Sequence, residues 1–285
     1  MIKLEFFKVC TSGNDFIVID NRKKIFNIDH QENLVEMLCA RHYAIGANGA
    51  CFIEESETGD YMVRFFSSDG AESDFSVNGV RAAIRIASEK DIAGNTQYIE
   101  TKAGMVKGEV AEEFISVEIP ELKSLDIKYD IEIPHHFESK IVETSYVDSG
   151  FKHIVLKVEK TSTFDVKNIG SILSNHMKFQ PGGVDVTFYD LIDGHNMNIV
   201  TYEVGVGGLV NASGNGTVSA FIVADSKKEI NSPMIAHTWG GLLKVSKKGS
   251  TIVLEGEARI AYSGFLTADM LNFDIEKARK KHSLL

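Results

Sequence analysis

The sequence predicts an α+β fold made of two pseudo-symmetric domains with mainly antiparallel sheets. Three observations carry this. Strand-like runs outnumber helical ones. Neighbouring runs are often joined by short turns rather than by crossover helices, which argues against a doubly wound parallel sheet. The pattern Ser-x-Asn-Gly also occurs twice, as Ser76-Val77-Asn78-Gly79 and Ser213-Gly214-Asn215-Gly216, each time ahead of a small-residue, apolar stretch that reads as a helix.

Residues 1–10 alternate like a strand and lack the apolar core of a leader. Runs at 16–20, 49–54, 61–66, 97–101 and 115–119 supply the strands of the first half. Those at 141–147, 153–158, 184–191, 198–203, 242–245, 251–255 and 258–265 supply the second. Each is rich in Val, Ile, Phe or Tyr and is bounded by Gly, Asp or Ser. Helical periodicity marks 30–42, with Leu34, Met37 and Leu38 on one face, and also 76–89, 166–175 and 213–226. A polar helix is predicted over 267–281. Pro120 opens a patternless stretch to about 129, which places the boundary between domains 1–122 and 123–261, with 262–285 returning to the first.

Composition narrows the function. The chain has 285 residues, 44% hydrophobic and 25% charged, the balance of a globular protein. A net charge of −10 argues against nucleic acid or an anionic membrane as partner. Cys10, Cys39 and Cys51 are too few and too irregularly spaced for a disulfide framework or a zinc site, and fit a reducing compartment. No apolar run approaches the roughly 18 residues of a spanning helix, so a cytoplasmic protein is expected. Asp69, Glu72, Asp74 and Glu203 lack metal-ligand spacing, and no metal is expected.

Several short segments punctuate the strands. Ser12-Gly13-Asn14-Asp15-Phe16 and Ile45-Gly46-Ala47-Asn48-Gly49 are ordinary turns when taken alone. Ser68-Asp69-Gly70-Ala71-Glu72 runs straight into Ser76. A glycine-punctuated loop entering a helix N-terminus exposes free N–H groups, which suit a carboxylate. In the second half, Gly205, Gly207 and Gly208 precede Ser213 and let the backbone come close to a ligand.

Taken together and in order, these segments resemble the diaminopimelate epimerase family of amino-acid epimerases and racemases. The likeness rests on Gly13-Asn14-Asp15-Phe16, Ile45 to Gly49, Asp69 to Glu72, Ser76 to Gly79 with Arg81, Gly150 to His153, Tyr202-Glu203, and Ala212 to Gly216. It implies two similar halves, each a strand-rich layer wrapped on a central helix, with a site in the cleft between them. It also implies isomerisation at an amino-acid α-carbon without pyridoxal phosphate or any other cofactor, by a thiolate on one face and a thiol on the other. A homodimer is compatible with the resemblance, because family members often pair.

Both cysteine positions of the resemblance hold serine here, Ser76 and Ser213. A thiol has a pKa of about 8.5 and a hydroxyl lies nearer water's roughly 15.7, so the oxyanion costs on the order of 10 kcal/mol more. A helix terminus returns about 0.3–2 kcal/mol of that. A serine base therefore needs a partner for its proton, and the resemblance makes His153 and Glu203 the candidates. The opposing reading is that Ser76 and Ser213 are simply N-caps. Asn14, Asn78, Gly79, Gly214, Asn215 and Gly216 are expected to hold the backbone of an amino acid. The places that clamp the distal end of diaminopimelate read Ser67, Phe151 or Lys152, Asp185 and Val204, without an arginine fork. A different side chain is therefore expected in the ligand, and Asp185 points toward a basic or hydrogen-bonding one. The chain reads as an isomerase. The alternatives are a non-catalytic ligand-binding or regulatory protein on the same scaffold, and a one-base isomerase or eliminase.

Overall fold

A computed structural model describes residues 4–25, 31–138 and 140–267. The predicted helix over 267–281 and the return of residues 268–285 lie outside the described residues.

The first half contains β1 (Leu4–Thr11), β2 (Asn14–Asp20), α1 (Gln31–Cys39), β3 (Gly49–Glu54), β4 (Tyr61–Ser67), β5 (Glu72–Ser73), α2 (Val77–Glu89), β6 (Thr96–Thr101), β7 (Gly104–Ala111) and β8 (Phe114–Glu118). The second contains β9 (Ser124–Ile127), α3 (His135–Glu138), β10 (Ile141–Asp148), β11 (Lys152–Val158), α4 (Val166–Ser174), β12 (Asp185–Leu191), β13 (Asn196–Glu203), β14 (Gly208–Val210), α5 (Gly214–Ser226), β15 (Met234–Thr238), β16 (Gly241–Lys248) and β17 (Thr251–Glu257). The last strand, β18 (Arg259–Leu266), pairs antiparallel with β1 in the first half. The halves are stitched by an antiparallel ladder between β8 and β17.

Most pairings are antiparallel, as expected. The parallel ladders are β2–β3, β4–β6, β11–β12 and β13–β15. Each spans one helix in the chain, because a parallel pair needs a crossover too long for a tight turn. The helices so placed are α1 and α2 in the first half and α4 and α5 in the second.

The two inner helices, α2 and α5, are the axes of the fold. Residues 216–224 of α5 are all buried, so the helix carries no polar stripe and must be enclosed on every side. α2 buries every residue from Val77 to Ala87 except Arg85. Val80, Ile84, Phe221 and Val223 share one hydrophobic core with the inward faces of the strands. Smaller cores lie under α1, around Leu34 and Leu38, and under α4, around Ile169 and Leu173.

The patternless stretch 120–129 contains a strand, β9, whose residues Leu125 and Ile127 pack on the main core. β7 also escapes sequence reading, since its glycines and charges hide it. Its ladder with β6 overrides weak propensity.

Arg81 ties this arrangement together. It is fully buried on α2. Its guanidinium donates to Asn78 Oδ1 at 2.5 Å, to the Glu257 carbonyl at 3.1 Å and to Ser12 Oγ at 3.2 Å. Burial pushes it down to about 10, so it stays charged at neutral pH. Replacing Arg81 with methionine strands three acceptors and should cost on the order of 3 kcal/mol. Urea melts of the variant would show this as a lower midpoint. An unchanged midpoint would mean that the contacts are dispensable.

Candidate active site

The inner helices meet head to head. Ser76 and Ser213 adopt extended backbone at the entries to α2 and α5, and each Oγ accepts a hydrogen bond from the third helical N–H, Gly79 and Gly216, at 3.1 Å. Both serines are therefore N-caps. Both also line one cavity of about 410 Å³ that is walled by residues of both halves. The two readings of these serines are compatible.

Helix entries leave N–H groups without an intrahelical partner. Ser76 and Ser213 satisfy one each. The Val77 N–H donates to Asn215 Oδ1 at 2.9 Å, which locks the first turn of α2 to the first turn of α5. Among the described residues, the N–H groups of Asn78, Gly214 and Asn215 have no protein acceptor, and all three residues line the cavity. Glycine at 214 is a packing requirement, because a Cβ there would lie 2.8 Å from Val77 Cβ.

Several predicted ligand groups have other work. Gly79 and Gly216 do not line the cavity, and their N–H groups are spent on the serine caps. A Cβ at Gly79 would meet the Phe65 ring at 2.7 Å, and one at Gly216 would meet Thr187 Oγ1 and Thr201 Oγ1 at 2.4 Å, so both glycines serve close packing. The side chains of Asn14 and Asn78 both donate to the Ala212 carbonyl. Asn215 spends its amide on Val77 and Phe75. These three asparagines line the cavity, but their side-chain bonds hold the halves together.

The sequence makes His153 a proton acceptor at the reacting centre, and the structure corrects this. His153 is wholly buried, lies outside the cavity lining, and sits behind Asp185 with Nε2 3.7 Å from Asp185 Oδ2. Its Nδ1 lies 3.1 Å from Thr187 Oγ1, which in turn contacts Thr201 Oγ1 at 3.0 Å. Burial pushes the imidazole down to about 3, so it is neutral at physiological pH.

Asp185 and Glu203 do face the cavity. The β12–β13 register, with Val186 opposite Tyr202, puts them directly across from each other at the end of the ladder. Like charges so placed repel. Burial pushes the Glu203 carboxyl up to about 8, the charge of Asp185 adds to this, and a hydrogen bond from Ser213 opposes it. Burial likewise pushes Asp185 up to about 6, against the Val204 N–H that donates to Oδ1 at 2.9 Å. The two take up protons as a unit, and at neutral pH one proton resides mainly on Glu203.

Sequence reading missed the remaining wall. Phe16, Phe65, Phe66 and Phe75 give the cavity an aromatic side, and Asp69 stands at its margin. Strand alternation alone did not say which face of residues 61–66 turns toward the partner half. Glu72, also in the lining, is neutralised by Arg64 at 2.6 Å and Lys102 at 2.5 Å. None of the three cysteines lines the cavity. Cys39 and Cys51 are buried, and burial pushes both thiols up, Cys39 to about 12. Among the described residues, no cluster of three or more His, Cys, Asp or Glu is placed to hold a metal ion. No helix among them is long and apolar enough to cross a membrane.

The family model described as diaminopimelate epimerase matches residues 6–121 and 145–261. A diaminopimelate epimerase of Aquifex aeolicus is 30% identical over 95% of this chain and 100% of its own length. The same fold appears in a hydroxyproline epimerase from Agrobacterium vitis solved with trans-4-hydroxy-L-proline, with a TM-score of 0.72, 13% identity, and coverage of 94% of this chain and 93% of that one. It also appears in a PhzF-family phenazine biosynthesis protein of Bacillus anthracis, with a TM-score of 0.71, 14% identity, and coverage of 94% and 100%.

The raised Glu203 carboxyl has a signed consequence for stability. The folded state holds this proton up to about pH 8, whereas an unfolded glutamate releases it near 4.5. Folding stability is therefore lost as pH rises through that window. Glu203→Gln keeps the site neutral throughout. The variant should match the parent near pH 4 and melt at a higher temperature at pH 9, as read by differential scanning calorimetry. Equal melting at pH 9 would show that the carboxylate ionises there without cost.

Proposed function

We infer that this chain, which belongs to the diaminopimelate epimerase family, is a racemase or epimerase-like isomerase acting at the α-carbon of an amino acid other than diaminopimelate, without a thiol pair and with no need of a cofactor. The observation that carries this reading is the convergence of two helix N-termini, two serine hydroxyls and two carboxylates on one cavity.

The substrate carboxylate fits the free N–H groups of Asn78, Gly214 and Asn215, where the helix dipoles favour negative charge. The buried Arg81 cation stands behind Asn78 and adds to that field. Loss of the α-proton moves its electron pair into the same carboxylate, so the charge develops where these donors already point.

Glu203 supplies the base. The C–H bond breaks as the proton passes to Ser213 Oγ, while Ser213 gives its own proton to ionised Glu203. No free alkoxide forms, which removes the penalty of about 10 kcal/mol that a lone serine faces. Ser213 is well placed for this, since its Oγ is fixed by the Gly216 N–H, it lines the cavity with Glu203, and its hydroxyl draws the Glu203 carboxyl down against the effect of burial. Ser76 stands at the other helix entry, and Glu72, the other glutamate of the lining, is consumed by two cations.

This asymmetry favours a second outcome of the same chemistry, a one-base reaction in which Glu203 both removes and returns a proton on one face, or drives elimination. The stereochemistry of exchange separates the two. Incubation of amino acids with the protein in deuterated water should give α-deuterium uptake by mass spectrometry. Inversion at the labelled carbon supports the two-face reaction and retention supports the one-base route. The exchange rate should rise with pH through about 8, as Glu203 ionises. Glu203→Gln should lower it by about 10²–10⁴-fold. If no amino acid exchanges, and exchange appears only after Ser76→Cys and Ser213→Cys are combined, the native protein is a binding protein on this scaffold.

A further inference from the structure

The cavity is electrically one-sided. Among the described residues, every charged side chain in its lining is a carboxylate: Asp69, Glu72, Asp185 and Glu203. No lysine, arginine or histidine joins them. Glu72 is compensated by Arg64 and Lys102. Asp69 takes hydrogen bonds from Ser67 Oγ at 2.6 Å and the Ala71 N–H at 3.0 Å, but forms no ion pair among the described residues. Asp185 receives the Val204 N–H on Oδ1, and its Oδ2 lies 3.7 Å from the neutral His153 ring. Its side chain is 24% exposed, which is its opening to the cavity. Asp69 is exposed and solvated, which leaves the charge of Asp185 as the unmatched one in the part-buried wall when Glu203 holds its proton.

An amino acid's own carboxylate goes to the helix entries. The rest of the lining offers carboxylates with no cation among them, beside the aromatic wall of Phe16, Phe65, Phe66 and Phe75, whose ring faces also attract cations. We propose that the cavity selects α-amino acids whose side chain carries a positive charge, with Asp185 as the group that reads it. This rests on the reading of the cavity as a site of α-carbon chemistry. It excludes a ligand with an acidic side chain, because burying a second carboxylate beside Asp69 and Asp185 has no compensating cation.

The placement links recognition to proton transfer. The groups facing Glu203 are Asp185 across the ladder, Ser213 at the entry to α5, and the cavity itself, with His153 neutral behind Asp185. The charge of Asp185 helps to keep Glu203 protonated. A cation resting against Asp185 offsets that charge and frees Glu203 to act as the base, so a neutral analogue of the same shape would be both bound and processed less well.

Calorimetric titration with L-lysine, L-arginine, L-norleucine and L-glutamate, paired with deuterium uptake for the same four, tests this. Lysine and arginine should bind at least tenfold more tightly than norleucine, their preference should shrink as salt is raised, and glutamate should show no binding. Asp185→Asn keeps an acceptor for the Val204 N–H and should reduce the lysine-to-norleucine affinity ratio to below threefold. Asp69→Asn should lower lysine affinity as an independent check should Asp185→Asn fail to fold. Tight lysine binding with no deuterium uptake would overturn the proton chemistry and leave the charge selectivity standing. Uptake greatest with norleucine or glutamate would do the reverse. Absence of binding by lysine and arginine would overturn the selectivity outright.

Discussion

The contact on which the structure depends is the meeting of two helix N-termini. α2 and α5 are pressed together so closely that residue 214 has no room for a Cβ, and the first N–H of one helix is bonded to the second side chain of the other. Two positive dipole ends are thereby directed at the same space. That is unfavourable unless something negative occupies it or borders it. The adjoining wall is correspondingly acidic, and in the proposed function the substrate carboxylate adds to that balance. The interlock of Asn14, Asn78 and Asn215 holds the two helix ends at this distance.

The division of labour among buried polar groups follows from that arrangement. Arg81, through its two terminal nitrogens, and the asparagines bond to protein atoms and build the scaffold. Asp185 and Glu203 are only partly satisfied and face the cavity. A pair of carboxylates across an antiparallel ladder is a poor choice for stability. Its retention in the cavity between the halves fits the proposed role of a group that exchanges protons near neutral pH.

Serine at both helix entries bears on the proposed reaction. A thiol at a helix entry can ionise unaided near neutral pH, whereas a hydroxyl has to be part of a relay. In that reading the relay partner of Ser213 is Glu203, whose carboxyl burial pushes up to about 8. Glu72, the other glutamate of the lining, is consumed by two cations, so the acids of the cavity are chemically unequal.

The strand count and the repeated Ser-x-Asn-Gly pattern identified the fold class and the two inner helices, because capping and hydrophobic periodicity are local properties of the chain, and the ordered short motifs identified the family by resemblance. Asp185 and Glu203 were named from that resemblance, and both line one cavity with Ser76 and Ser213. Three things were not legible in the sequence. Whether an asparagine amide meets a ligand or the Ala212 carbonyl depends on a partner nearly 200 residues away in the chain. Whether His153 is a base or a buried neutral ring depends on how deeply β11 is covered. The strands at 104–111 and 124–127 exist because neighbouring strands supply their hydrogen bonds. Those outcomes belong to tertiary packing, since desolvation and long-range pairing are set by what surrounds a residue in space and leave no trace in its neighbours along the sequence.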